Sequence, residues 1–469
     1  MMKQTDDRLD ITEGARLKAP RAAWRSLLCV WRGLLCLLLI AALVVPGATK
    51  PPGAARADGR DDQHWMGTWA TAPQHAVPGH VQTFQQQTLR LIVHVSAGGQ
   101  RVRVKLSNTY GDQPLLIGSA HIARRAAGAD IDPTSDRTLM FRGRSAITIP
   151  ARAMAVSDPV ELDVPALSDL SLSIFLPEST QATTSHALAL QTNYVSPATG
   201  DATAAVKFPV DKTIASWPFL TGVDVAAATR GAAIVAFGSS LTDGDGSTKD
   251  ANRRWPDVLA ERLQKEHGGN AEIGVLNEGI IGNRLLSDFD SPRQLGGPFE
   301  AVLKELGPAL GQAGLARFDR DVLAQTGVRY VILALGVNDI LFPGAFIPAT
   351  ESVSAQSIIT GNRQLIARAH KKGIRAIGTT IPPFEGALFR SPSISFSTPE
   401  KEKVRREVNA WIRTSGEFDG VIDFDAAVRD PGQPTRILPA YDSGDHLHVN
   451  DAGNVAQGHA IPLTLFPGH

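Results

Sequence analysis

The chain has 469 residues, 43% of them hydrophobic and 20% charged, a globular balance that argues against a disordered or fibrous protein. Its 47 basic and 47 acidic side chains cancel, but nine of the basic and four of the acidic ones fall in the first 57 residues, leaving 38 against 43 in the remainder. That mildly acidic body argues against a nucleic-acid partner, which needs a basic surface.

In the first 57 residues, Arg21, Arg25 and Arg32 precede an uncharged 13-residue run from Gly33 to Val45, followed by small residues and Ala55-Arg56-Ala57. This reads as a secretory signal peptide over 1–57, cleaved after Ala57, with a secreted or periplasmic product. The run is shorter than the roughly 20 apolar residues of a spanning helix, so no stable membrane span is expected after cleavage. Both cysteines, Cys29 and Cys36, lie in this segment, so the mature protein would hold no disulfide. Cys36 follows Leu34-Leu35 rather than small residues, which argues against lipid attachment.

The next stretch, 62–226, alternates at period two, as in Arg101-Val102-Arg103-Val104-Lys105-Leu106, Val160-Glu161-Leu162-Asp163-Val164 and Leu170-Ser171-Leu172-Ser173-Ile174. Such strands bury one face and wet the other. Turn signals such as Asn108-Thr109-Tyr110-Gly111 separate them at short intervals, predicting an antiparallel β-sandwich or jelly-roll domain. Trp65, Trp69, Tyr110, Tyr194 and Trp217 are expected in the core or at a domain interface, with a sugar-stacking platform as the alternative.

Over 230–469 the texture changes to apolar strands alternating with amphipathic helices. Strands are predicted near 232–237, 273–277, 328–335, 374–381 and 420–424, and helices near 256–266, 318–326, 354–371, 399–414 and from 451. Alternation of this kind implies a mostly parallel sheet covered on both faces, a three-layer α/β/α domain. Pro256 suits a first helical turn, Gly268 and Gly373 suit helix ends, and Ser397-Thr398-Pro399-Glu400 suits a start. The Gly- and Pro-rich stretch 291–314 reads as an insertion or lid-like loop.

Ligands of parallel sheets bind beyond the carboxyl ends of the strands, and four such loops carry suggestive residues. Gly238-Ser239-Ser240-Leu241-Thr242 follows the first strand, and Asn277-Glu278-Gly279-Ile280-Ile281-Gly282-Asn283-Arg284 the second. Gly336-Val337-Asn338-Asp339 follows the third, and Asp445-His446-Leu447-His448 precedes the final helix. A serine where a buried strand breaks into a glycine-flanked turn is exposed and rigid, as an oxygen nucleophile must be, and a histidine can take its proton.

These four segments, in this order, resemble the blocks of the SGNH (GDSL) hydrolase superfamily over roughly 230–465, and residues 62–226 resemble the amino-terminal domain of some secreted members from polysaccharide-degrading bacteria. The resemblance implies a flavodoxin-like sheet, with Ser240 as nucleophile, His448 as general base and Asp445 as its orienting acid. It also implies an oxyanion hole from the Ser240 and Gly282 N–H groups and the Asn338 amide, and no metal or organic cofactor. The expected substrate is a carboxylic ester, with short acyl groups on carbohydrate ahead of lysophospholipid or aryl esters. An O-acyltransferase and an inactive carbohydrate-binding protein are the alternatives. One departure stands out: Ser239 occupies the position where the family has aspartate.

Each residue also has a plainer reading. Ser240 alone could cap a helix, and Asn338 or Gly282 could be ordinary turn residues. Asp445, His446 and His448 could form part of a metal cluster, yet no His-Glu-x-x-His or cysteine pair supplies further ligands. Asp425, near the end of the strand predicted at 420–424, is the alternative triad acid.

Overall fold

The computed structural model describes residues 64–77, 79–227, 231–289, 306–389, 391–395 and 397–467. The segment read as a signal peptide therefore lies outside the described residues, as does most of the 291–314 insertion.

Period-two alternation produces strands throughout His64–Ala227, in two main antiparallel sheets. The first runs in the order 64–70, 220–227, 99–107, 154–156, with 160–164 also on 99–107. The second runs 212–214, 193–195, 87–94, 169–176, 119–127, 130–131. Val102, Val104 and Val223 from one sheet share a core with Leu91, Leu172 and Ile122 from the other. The alternate face of Asp169–Leu176, expected to be wet, is also buried at Ser171 and Ser173. A fully buried guanidinium explains this: Arg90 donates to the Ser173 hydroxyl and to the Ala129, Thr203 and Ala205 carbonyls, roofing the central strand with the loops that carry them.

Trp69, Tyr110 and Trp217 are buried, and Trp69 and Trp217 meet edge to face at 5.0 Å between ring centres. They are core residues and form no exposed platform.

Beyond residue 231 lie five parallel strands: β1 (Ala232–Gly238), β2 (Ile273–Asn277), β3 (Val328–Ala334), β4 (Arg375–Thr379) and β5 (Gly420–Ile422). Their spatial order is β2-β1-β3-β4-β5. The order reverses at β1, so the crevice beyond the carboxyl ends of β1 and β3 is where such a sheet binds ligands. Ala233, Val235 and Phe237 face one apolar core, while Ala232, Ile234 and Ala236 face another. That division requires cover on both sides, which the long helices supply.

Eight α-helices accompany the sheet among the described residues: α1 (Ser240–Asp243), α2 (Trp255–Glu266), α3 (Gly314–Phe318), α4 (Val337–Leu341), α5 (Ala355–Lys371), α6 (Pro399–Thr414), α7 (Phe424–Val428) and α8 (Asp451–His459). Ser354, Thr398 and Asn450 cap α5, α6 and α8 by accepting backbone N–H groups. Two expectations shift. The helix predicted near 318–326 begins at Gly314 and passes into a wider π turn over Asp319–Leu323. The strand predicted to 424 stops at Ile422, because Asp423 caps α7 by accepting the Ala426 N–H. Helices α1, α4 and α7, of four or five residues each, were too short for a periodic signal.

The strand-rich and α/β parts lie in one compact unit, Asp61–His469. Their seam is hydrogen-bonded: Val275 N–H donates to Ser96 Oγ at 2.8 Å, and Gly67 N–H to the Thr326 carbonyl at 2.9 Å. Lys105 and Arg103 from one side enclose the fully buried Asp224, which also accepts from Thr326 of the other.

Candidate active site

Strand β1 ends at Gly238, and the chain turns at once into α1, placing Ser240 in its first turn. The Ser240 hydroxyl lies 2.8 Å from His448 Nε2, and His448 Nδ1 lies 2.5 Å from Asp445 Oδ2. The three residues expected to act together are thus joined in one hydrogen-bonded line across about two hundred residues of sequence. Asp445 Oδ1 accepts the N–H groups of Leu447 and His448 at 2.9 and 2.8 Å, so the loop's own backbone sets the carboxylate.

Electrostatics follow from these contacts. Burial pushes the Asp445 carboxyl upwards, but the His448 ring, its charge and the two backbone donors together hold it well below the usual carboxylate range. For His448, burial disfavours the imidazolium, yet the Asp445 hydrogen bond and the charges of Asp245 and Asp445 raise its pKa above the ordinary value. Asp245 Oδ2 sits 3.8 Å from His448 Nε2.

Ser239 is fully buried, and its hydroxyl has no partner among the described residues. The imidazole therefore selects Ser240 of the adjacent pair. His446 turns away to Asp442, leaving the two histidines on separate carboxylates. Asp425 accepts from Arg405, Arg413 and Arg429 and is spent on that ion cluster. No group of three or more His, Cys, Asp or Glu side chains suited to a metal ion occurs among the described residues.

Gly282 and Asn338 come together through Asn283, whose carbonyl accepts Asn338 Nδ2–H at 2.9 Å. Gly282 has φ +71°, a left-handed conformation that favours glycine. Gly279 is required for another reason: a Cβ there would lie 2.3 Å from the Asp243 nitrogen. The nucleophile turn and the 278–284 loop can pack this closely only over bare backbone.

Three residues that sequence reasoning passed over hold these loops. Asp243 Oδ2 accepts the Ile281 N–H at 2.9 Å. Asp339 accepts from the N–H groups of Leu285 and Leu286, at 2.7 and 2.9 Å, while burial pushes its carboxyl up to about 6. Arg317, fully buried, donates to the carbonyls of Gly238 and Glu278, to Asn283 Oδ1 and to Asp321, and lies 4.1 Å over the Phe237 ring. Asp339 sits inside a motif and Asp243 directly follows one, so both could have been found by asking which carboxylates there had no assigned task. Nothing local marks Arg317, a lone arginine in a five-residue helix.

Arg317→Met is expected to lower folding stability by about 3–5 kcal/mol, because it strips a buried charge from Asp321 and three further acceptors. Arg317→Lys recovers only part, since an ammonium cannot span acceptors spread along the planar guanidinium. Denaturant midpoints at constant m-value check both; a midpoint unchanged in Arg317→Met would remove the hub role.

Residues 234–461 match the family described as GDSL-like Lipase/Acylhydrolase. No curated protein matches the chain. Among solved structures, it is similar to an aryl esterase from M. smegmatis, with 19% identity, 49% of this chain and 96% of that one covered, and a TM-score of 0.35. A carbohydrate acetylesterase from Sinorhizobium meliloti matches at 16% identity, covering 49% and 95%, with a TM-score of 0.35. A GDSL-like lipase from Bacteroides thetaiotaomicron matches at 14%, covering 50% and 87%, with a TM-score of 0.32.

Proposed function

Residues 234–461 belong to the GDSL-like lipase/acylhydrolase family, hydrolases of ester bonds, and on that premise we propose that this chain is an exported serine esterase removing short acyl groups from carbohydrate. The observation that carries the reading is the Ser240–His448–Asp445 hydrogen-bonded line. In the reaction, Ser240 Oγ attacks the ester carbonyl carbon while His448 Nε2 takes its proton. The bond to the alcohol then breaks, and His448 returns the proton to the leaving oxygen. Water repeats the sequence on the acyl-Ser240 ester, releasing the acid and restoring the serine.

The oxyanion would be met by the N–H groups of Ser240 and Gly282 and by the Asn338 amide. Asn338 has two amide N–H groups; the one given to the Asn283 carbonyl orients the side chain, and the other serves the substrate. Asp245, beside His448 Nε2 where the leaving alcohol departs, places negative charge that a phosphate-bearing alcohol meets unfavourably and a neutral sugar does not. This favours an acylated carbohydrate over a lysophospholipid. Two antiparallel sheets around a shared core support a β-sandwich domain over 62–226, built onto the hydrolase domain at 230–469.

Export rests on the charged flank, the 13-residue apolar run and the small residues before Ala57. Among the described residues no helix is long and apolar enough to cross a membrane.

Acetate release from p-nitrophenyl acetate and acetylated xylan, with and without an acceptor sugar, tests the assignment. Hydrolysis in water supports it, whereas release that depends on the acceptor would make the protein a transferase. The acid limb offers a further check, since His448 must be neutral to act as a base. Activity is expected to fall as pH drops through its raised pKa, and Asp245→Asn, which removes one of the two charges facing the ring, moves that limb to lower pH. A pH profile of kcat/KM reads the shift; an unmoved limb would mean that the Asp245 charge is not felt at the ring.

A further inference from the structure

The catalytic loops are braced from outside the hydrolase domain. His186 ends the strand Thr184–His186, which lies between Gln74–His75 and Trp217–Pro218 in the strand-rich part. Its ring is 2% exposed and reaches across the seam, with Nε2 2.9 Å from Asp243 Oδ1. Nδ1 lies 2.9 Å from the Ala72 carbonyl, which can only accept, so Nδ1 carries a proton. The contact between Nε2 and Oδ1 is then bonding only while a second proton lies between them. The other Asp243 oxygen accepts the Ile281 N–H, one residue before Gly282.

A second strut runs alongside. Gln74 Oε1 accepts the N–H of Ala187, the residue after His186, and Gln74 Nε2 donates to the Ala309 carbonyl. Leu310, next in sequence, lies where a Cβ on Gly282 would fall, and its carbonyl accepts from Asn283 at 2.9 Å. The strand-rich part thus reaches the Gly282 loop from two sides. The cavity between the two parts, lined by His186, Trp217, Asp243 and Arg254 among others, holds about 40 Å³, room for about one water and none for an ester.

We propose that His186 is a positioning residue for the oxyanion loop: it fixes the Asp243 carboxylate, which fixes Ile281 and with it Gly282, so that the strand-rich domain completes the active site. This rests on the esterase reading for its kinetic consequence, but the bracing itself has an independent readout.

The test uses the full chain with His186→Leu, His186→Gln and Asp243→Ala, which removes the acceptors of both the His186 and the Ile281 bonds. His186→Leu is expected to lower kcat for p-nitrophenyl acetate on the order of 10²-fold per titrated active site, with KM within about twofold, because the loop is misplaced and not the substrate pocket. His186→Gln, whose amide N–H can reach the carboxylate, restores most of the loss. Amide hydrogen exchange over 278–284 is expected to quicken in His186→Leu and Asp243→Ala and to stay slow in His186→Gln. If His186→Leu does not fold, Asp243→Ala gives the same two readings. Unchanged exchange over 278–284 in the loss variants overturns the bracing whatever the protein hydrolyses. Unchanged kcat per site in a variant whose loop has loosened overturns the positioning role. A wild type without ester turnover counts against the esterase reading alone, and exchange still decides the bracing.

Discussion

Ser240→Ala is expected to lower kcat for ester hydrolysis by about 10⁴–10⁶-fold, leaving only the rate that binding and oxyanion contacts supply without a nucleophile. Its neighbour provides the control. The Ser239 hydroxyl is buried with no partner among the described residues, so Ser239→Ala breaks no hydrogen bond seen there and removes an unsatisfied polar group. Turnover of wild-type order is expected there, with stability unchanged or raised by up to about 1 kcal/mol. Steady-state kinetics and mass spectrometry of the fluorophosphonate-labelled peptide check both. A label on Ser239, or a Ser240→Ala enzyme near wild-type activity, would sink the assignment.

The second large effect is at Asp445. Its Oδ1 accepts two backbone N–H groups, and its Oδ2 accepts from His448 Nδ1. An asparagine cannot serve both sides: if its carbonyl keeps the backbone donors, its amide faces Nδ1 and forces the proton of the neutral ring onto Nε2. A ring protonated there cannot take the proton of Ser240. Asp445→Asn is therefore expected to lower kcat by about 10⁴-fold with the fold intact. Asp425→Asn should instead cost stability, because Asp425 is shared by three arginines. Turnover and denaturation measured on both variants separate the two carboxylates; unchanged turnover in Asp445→Asn would move the role elsewhere.

Not all of this site was legible beforehand. Ser240, Asp445 and His448 stand in short, recognisable blocks after particular elements, and the structure joins them. His186 and Arg317 carry no comparable mark, since the bonds that set their tasks reach 57 and 79 residues along the chain, from His186 to Asp243 and from Arg317 to Gly238. The boundary errors have local causes. Asp423 closes β5 early because its carboxylate caps α7, and the third helix starts early because Gly314 and Leu315 N–H groups find the Arg284 and Leu285 carbonyls.

Apolar alternation at period two and strand–helix alternation afterwards determined by themselves that a strand-rich part precedes a parallel sheet, because burial of one face or of both is written in side-chain polarity. The order of blocks likewise picked out Ser240, His448 and Asp445, the three side chains that the structure joins by hydrogen bonds. Only the tertiary structure decided that Ser239 is fully buried beside a Ser240 that meets the imidazole, and which side chains hold the loops rigid. Those choices rest on hydrogen bonds between segments far apart in the chain, and the direction of such bonds is set by packing geometry that no local pattern encodes.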